Sequence, residues 1–216
     1  MKRQSTSFYT NQAVGHGKIG ATGVRSYRFR RLNVQLITDR LIIRPWVLED
    51  IPHYQAMSRD VGYNCFNAPG VLLVKDDQEA AQKIKDRIKV FEESRIGKFP
   101  IFEKETGSFV GTCGGNFFDL NGAKEIELGY RMMLNHWGKG YATESARALL
   151  HYLLHDLHQQ KVCGFALPQN IQSLKILEKL GFVYQNDFMW AGLMHKFYEI
   201  VPKEISPSVH NQNTAH

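Results

Sequence analysis

Two glycines one residue apart, Gly138 and Gly140, constrain this chain more than any other feature, because of what flanks them. Before them runs the extended apolar stretch Glu127-Leu128-Gly129-Tyr130-Arg131-Met132-Met133-Leu134. After them a helical period begins at once, with Ala142, Ala146, Leu149, Leu150, Leu153 and Leu157 on one stripe to about His158. A strand that becomes a helix through bare backbone leaves the first helical N–H groups unpartnered at the positive end of the helix dipole. Glycine supplies the positive φ and the close approach that such a turn needs. The turn therefore reads as an anion site suited to a phosphate or pyrophosphate, although two glycines alone fit a plain strand-to-helix turn equally well.

Two phosphate-binding patterns fail here. A P-loop needs Gly at position 133 and Ser or Thr at 140, where this chain has Met133 and Gly140. A dinucleotide fingerprint needs small residues at 138, 140 and 143 in a parallel sheet; Thr143 is a poor third member, and the preceding strands read as meanders.

Along the chain, Gln35 to Pro45 reads as the first strand, closed by a proline that cannot donate to a ladder. A short helix opens at Leu48-Glu49-Asp50-Ile51-Pro52 and runs through Met57, and residues 59 to 74 read as a long loop. A second helix spans about Asp77 to Ser94. Strands Lys98 to Glu103 and Ser108 to Phe118 form a meander, and the glycines within the latter signal a bulge or close backbone approach. The turn Asn121-Gly122 leads to the central strand. Beyond the glycine turn and its helix come the strand Val162 to Leu167, a helix from Asn170 to Leu180 with Gly181 as its cap, and a closing hairpin of Phe182 to Trp190 and Met194 to Val201. The expectation is one α/β (α+β) domain over residues 34–203: a mixed, mostly antiparallel central sheet of about seven strands, flanked by about four helices.

The formal net charge of +6 is confined to an arm. Residues 1–33 hold seven basic residues and no acid, which leaves 20 basic against 21 acidic residues elsewhere. The arm reads as flexible; a transit peptide or a nucleic-acid contact are its other readings, and nucleic acid is otherwise not an expected partner. Residues 204–216 read as a disordered tail. No stretch approaches a membrane span or a secretory signal, so the expectation is a soluble cytoplasmic protein, monomer or homodimer. Cys65, Cys113 and Cys163 lack disulfide or metal spacing. His151, His155 and His158 share one helix face, but no carboxylate completes a ligand set, and no metal is expected.

A third pattern fits the glycine turn: strand, x-x-Gly-x-Gly-x-Ala, helix, strand, then Asn170-Ile171-Gln172-Ser173 and Leu177-Glu178-Lys179-Leu180-Gly181-Phe182. Together with Glu127-Leu128-Gly129-Tyr130, Trp137-Gly138-Lys139-Gly140-Tyr141-Ala142-Thr143-Glu144 and the opening Thr38 to Pro45, it resembles the GNAT superfamily of acetyl-CoA-dependent N-acetyltransferases, especially the Rim-type ribosomal-protein branch. The likeness spans about residues 35 to 201.

The resemblance implies acetyl-CoA as co-substrate, held in a splay between the fourth and fifth strands, which end at Leu134 and Leu167. Backbone groups of Met132, Met133 and Leu134 would pair with the pantetheine arm. Amides from Trp137 through Gly138, Lys139, Gly140, Tyr141 and Ala142 to Thr143 would hold the pyrophosphate, Lys139 being a further phosphate partner. Asn170 would contact the cofactor near the thioester or cap its helix, roles that are compatible. Direct attack by a neutral amine in a ternary complex asks for a base, an oxyanion donor and an acid. Glu127, acting through water, is the candidate base; a solvent-facing strand acid is its other reading. Where many family members carry a tyrosine acid this chain has Leu177, which leaves Ser173 as the substitute, or as a helix cap. Gly192 stands where the branch has a second carboxylate, and Asn135 replaces the usual Gln or Arg. The function implied is acetyl transfer to a primary amine, foremost the N-terminal α-amine of a protein. Alternatives are a small-molecule amine such as a polyamine or aminoglycoside, and a non-catalytic acyl-CoA-binding sensor.

Overall fold

The β-branched run that opens the domain forms two strands, not one. Thr38 breaks it: its backbone N–H donates to the Leu41 carbonyl (3.0 Å), and its Oγ1 accepts from the Leu41 N–H (2.9 Å), a side-chain turn that competes with the ladder. The result is β1 (Leu36–Ile37) and β2 (Leu41–Ile43), paired antiparallel. The computed structural model describes residues 34–67 and 73–202. The expected arm (1–33) and tail (204–216) lie outside the described residues.

Among the described residues the sheet has eight strands, in the order β1-β2-β3-β4-β5-β6-β8-β7, with β3 (Lys98–Glu103), β4 (Phe109–Leu120), β5 (Ala123–Met132), β6 (Val162–Ala166), β7 (Val183–Trp190) and β8 (Leu193–Ile200). The split first strand accounts for the eighth. Of the described neighbouring pairs, β5 and β6 are parallel and the rest antiparallel. Register between β4 and β5 is continuous from Gly111↔Met132 to Leu120↔Ala123. Between β5 and β6 it is limited to Glu127↔Cys163, so the expected fourth and fifth strands do separate toward their C-terminal ends.

Against about four helices expected, five are present among the described residues: α1 (Ile51–Arg59), α2 (Val61–Asn64), α3 (Asp77–Ser94), α4 (Tyr141–His151) and α5 (Ile171–Leu180). The additional one, α2, lies in the stretch expected to be loop. Its sequence Val-Gly-Tyr-Asn has poor helical propensity, but Asp60 caps it through Tyr63 N–H (2.7 Å) and Tyr63 is buried against Thr112. After α4 the helix widens over Tyr152–Asp156, where Leu157 N–H reaches back five residues to the Tyr152 carbonyl (3.0 Å).

The two faces of the sheet are covered differently. On one, Ile126, Leu128 and Met132 of β5 pack with Leu149 of α4 and Leu153 of the widened turn after it, and Leu177 joins from α5. On the other, α1, α2 and α3 cover Phe102 and Phe109 through Tyr54, Met57, Tyr63 and Ile84, with Trp46 added from the segment before α1. The expected close approach at the β4 glycines is real: a Cβ on Gly114 would lie 1.9 Å from the Gly97 carbonyl oxygen.

Candidate active site

The strand-to-helix turn is built as its glycines demand. Gly138 (φ 75°) and Gly140 (φ 81°) are both left-handed, and Gly140 is the N-cap of α4 with no side chain capping it. The first helical bond, Glu144 N–H to the Gly140 carbonyl (3.1 Å), leaves the amides of Tyr141, Ala142 and Thr143 without an intrahelical acceptor. A Cβ at Gly138 would meet nothing within 4 Å, so the glycine answers the positive φ and not a close approach. The Trp137 N–H is occupied, donating within the turn to Leu134 O (3.1 Å).

A clamp from the opposite end of the chain fixes this loop. Arg40 donates from its backbone N–H (2.9 Å) and Nε (2.8 Å) to Glu144, and from Nη1 to the Lys139 carbonyl (2.9 Å). Thr38 Oγ1 donates to the same carboxylate (2.5 Å), and the guanidinium lies over the Tyr141 ring, 4.7 Å from its centroid. Burial pushes the Glu144 carboxyl up, yet the hydrogen bonds from Thr38 and Arg40 outweigh it and hold the group below its ordinary range. Tyr141 OH donates to Glu103, which raises the phenol and lowers the carboxyl. Beside them His136 is held low by burial and by Lys139, and its Nδ1 is a buried polar atom without a partner among the described residues.

At the splay the end of β5 is unpaired with β6. Met133 N–H donates to Val110 O on β4 (2.9 Å), so by alternation the N–H and C=O of Met132 point to the opposite side, where β6 has diverged. The Met132 carbonyl accepts from the Trp137 indole Nε1 (2.9 Å). Leu134 N–H donates to Asp60 Oδ1 (3.1 Å), the atom that caps α2, and α2 rests so closely here that a Cβ on Gly62 would lie 2.7 Å from Leu134 Cβ. Of the three residues expected to meet the pantetheine arm, Met132 therefore faces the splay, while the Met133 and Leu134 amides are engaged.

Across the splay, Asn170 caps α5, its side-chain oxygen accepting from Ser173 N–H (3.2 Å). The Ser173 carbonyl accepts from Tyr130 OH (2.8 Å), which ties α5 to β5; burial pushes that phenol well up and keeps it neutral. Leu177 is buried and packs onto Gly164, where a Cβ would lie 2.5 Å from its Cδ2. Gly192 (φ 77°) and Ala191 (φ 49°) form the two-residue turn joining β7 to β8, which explains a glycine at that point.

Glu127 lies on the face of β5 away from α4, with Lys98 Nζ 3.8 Å from Oε2. Lys98 reaches it by crossing two aligned glycines, Gly114 and Gly129; a Cβ on Gly129 would sit 2.9 Å from the ammonium. Further along this face Lys161 bridges Glu125 and Glu199, each at 2.9 Å, and in the other direction Arg131 donates to the side-chain carbonyl of Asn67. Asp60 could have been anticipated as a cap in the sequence. Arg40, Lys98 and Asn67 carry no local signal, since their partners are distant in the chain.

Among the described residues no group of three or more His, Cys, Asp or Glu is placed to hold a metal, and no helix is long and apolar enough to cross a membrane.

Residues 40–183 match the family model for the acetyltransferase (GNAT) domain. The chain is 32% identical over 150 residues to the uncharacterized N-acetyltransferase p20 of Bacillus licheniformis, covering 68% of this chain and 81% of the relative. Its fold superposes on the ribosomal-protein-S5-alanine acetyltransferase of Vibrio fischeri with a TM-score of 0.65, at 13% identity, covering 81% of this chain and 100% of that one. It superposes equally well, at 0.65 and 13%, on RimL, a ribosomal L7/L12 α-N-protein acetyltransferase in complex with coenzyme A, over 76% of this chain and 96% of that one. At such identities these structures speak for the fold alone, whereas the family match covers most of the chain. The chain belongs to the GNAT acetyltransferase family and is an N-acetyltransferase.

Proposed function

We propose that this protein transfers the acetyl group of acetyl-CoA to the N-terminal α-amine of a protein, as enzymes of the Rim-type branch do. The observation that supports the acetyl-CoA part of the reading is the pairing of an uncapped glycine turn with an edge of β5 left unpaired by β6 at the same end of the sheet. The amides of Gly138, Lys139, Gly140, Tyr141, Ala142 and Thr143 supply the donors a pyrophosphate needs, and Lys139 adds charge. Met132, followed by Met133 and Leu134, forms the strand edge against which the pantetheine amides lie, displacing the Trp137 indole from the Met132 carbonyl. Asn170 keeps its NH₂ group for the thioester end while its oxygen caps α5.

The residues then divide the chemistry. Glu127 takes the proton of the attacking amine through a water. The Met132 N–H faces the carbonyl oxygen as charge builds on it. The amine nitrogen bonds to the acyl carbon, the carbon–sulfur bond breaks, and the thiolate is protonated from the side of Ser173. An α-amine has a pKa of about 7.7–8.0 against about 10.4 for lysine, so it asks less of a base that is already ion-paired with Lys98. Thiol release measured with acetyl-CoA and panels of free-N-terminal peptides, lysine peptides, polyamines and aminoglycosides tests the proposal; turnover confined to the small amines overturns the acceptor. Leu177 and Gly192, which bring no acid to the cleft, favour a second reading as an acyl-CoA sensor. Tight CoA binding without turnover on any amine would establish that reading instead.

A further inference from the structure

Resting on the acetyl-transfer reading, we propose that Arg131, braced by Asn67, is an anion subsite for the acceptor, so that the amine this enzyme acetylates carries a carboxylate or phosphate close by. Arg131 shares a face of β5 with Glu127 and Gly129, since side chains alternate along a strand. A rise of about 3.4 Å per residue sets Arg131 about 7 Å beyond Gly129 and about 14 Å from Glu127 along the strand. Along the strand Arg131 comes between Glu127 and Met132, so its guanidinium borders the path from Glu127 to the acyl group at the Met132 amide.

The charges on this face single Arg131 out. Lys98 is paired with Glu127 at 3.8 Å, and Lys161 with Glu125 and Glu199 at 2.9 Å. Arg131 instead makes its hydrogen bond to a neutral amide oxygen, and among the described residues it has no ion pair. The nearby groups on the α2 side are Tyr63 and Cys65, together with Asp60, whose Oδ1 is committed to the Tyr63 and Leu134 amides. Residues 68–72, Ala-Pro-Gly-Val-Leu, contain no acid. A guanidinium has five N–H donors in a planar fork that matches a carboxylate or phosphate, and a half-buried one with an amide as its partner still has donors to satisfy.

Its bracing is fixed in advance. Asn67 donates through Nδ2 to Asn64 Oδ1 (3.0 Å), which leaves the Asn67 oxygen turned to Arg131. Asn64 is pinned by its own Nδ2 to the carbonyls of Met57 (3.0 Å), Ser58 (3.2 Å) and Asp60 (2.9 Å). A chain of amides from the end of α1 thus holds one guanidinium over the acceptor face. The matching ligand chemistry is a primary amine with an anion a few bonds away. An acidic side chain next to a protein N-terminus supplies it, as does a free amino acid.

The test uses matched pairs: a peptide beginning Ala-Asp against one beginning Ala-Asn, and a free amino acid against its amide. Each is titrated calorimetrically into the CoA-loaded protein and assayed for thiol release with acetyl-CoA. In the parent the anionic member of at least one pair should bind about tenfold tighter and show the advantage in KM rather than kcat, as expected for a charge-assisted contact. The pair that responds identifies the source of the anion. Arg131→Gln should bring the ratio to about one and Arg131→Lys should restore part of it, with CoA affinity unchanged as the check on folding. Equal binding of both members of each pair in the parent, a ratio that survives in Arg131→Gln, or no acceptor binding at all would overturn the subsite. Absence of turnover despite an anion-dependent binding ratio would instead overturn the acetyl-transfer reading and leave the subsite standing.

Discussion

The two sides of the cleft are made of different materials. The side given by Gly138, Gly140 and the start of α4 is backbone: two left-handed glycines and a row of amides, with side chains such as Arg40 and Glu144 acting from behind. The side given by Glu127, Lys98, Arg131 and Asn67 is almost wholly side chain, laid over glycines that keep the sheet surface low. On the proposed reading, backbone would recognise a group common to every acyl-CoA, whereas side chains would tell one acceptor from another.

That division can be broken by substitution. The largest effect is expected at Gly140. Valine there places a β-branched side chain at φ 81° among the loop amides, and CoA affinity measured by calorimetry should fall about a hundredfold or more while circular dichroism stays native. Unchanged affinity would remove the turn as the phosphate site. On the other side, Glu127→Gln should lower kcat about a hundredfold and leave CoA affinity alone, the size expected for loss of a positioned base. A coupled loss of both would mean that the two sides are not separable.

Smaller effects probe what joins them. Asp60→Ala removes the cap of α2 and the acceptor for Leu134 N–H, and should cost about 1 kcal/mol in chemical denaturation. It should also weaken CoA measurably, although Asp60 belongs to the acceptor side. The smallest is a slope. The folded Glu144 carboxyl is held below its ordinary range, so its contribution is complete above the unfolded value of about 4.3 and is lost as pH falls through the folded one. Acid unfolding of Glu144→Gln should therefore be shallower than the parent's in that window; parallel curves would mean that the clamp adds nothing.

The same division decided what could be read from the sequence. The turn, α4, the cap at Asn170, the closing hairpin and the Asn121-Gly122 turn are local patterns of periodicity and φ demand, and each is present. What escaped depends on partners far along the chain. Thr38 splits the first strand while also bonding Glu144, α2 forms against its own propensity because Tyr63 and Leu134 hold it, and Lys98 crosses to Glu127 only because Gly114 and Gly129 fall into register.

One atom, Asp60 Oδ1, accepts from both the Tyr63 and Leu134 amides. On the proposed reading, a displacement of α2 would therefore alter the free energy of the strand end assigned to the pantetheine, and the converse would hold. By reciprocity, whatever factor the acceptor changes in the dissociation constant of CoA, CoA must change in that of the acceptor. The shared oxygen would then couple the two sites, and the strength of that coupling is readable as the difference between the CoA titration alone and the titration with acceptor saturating.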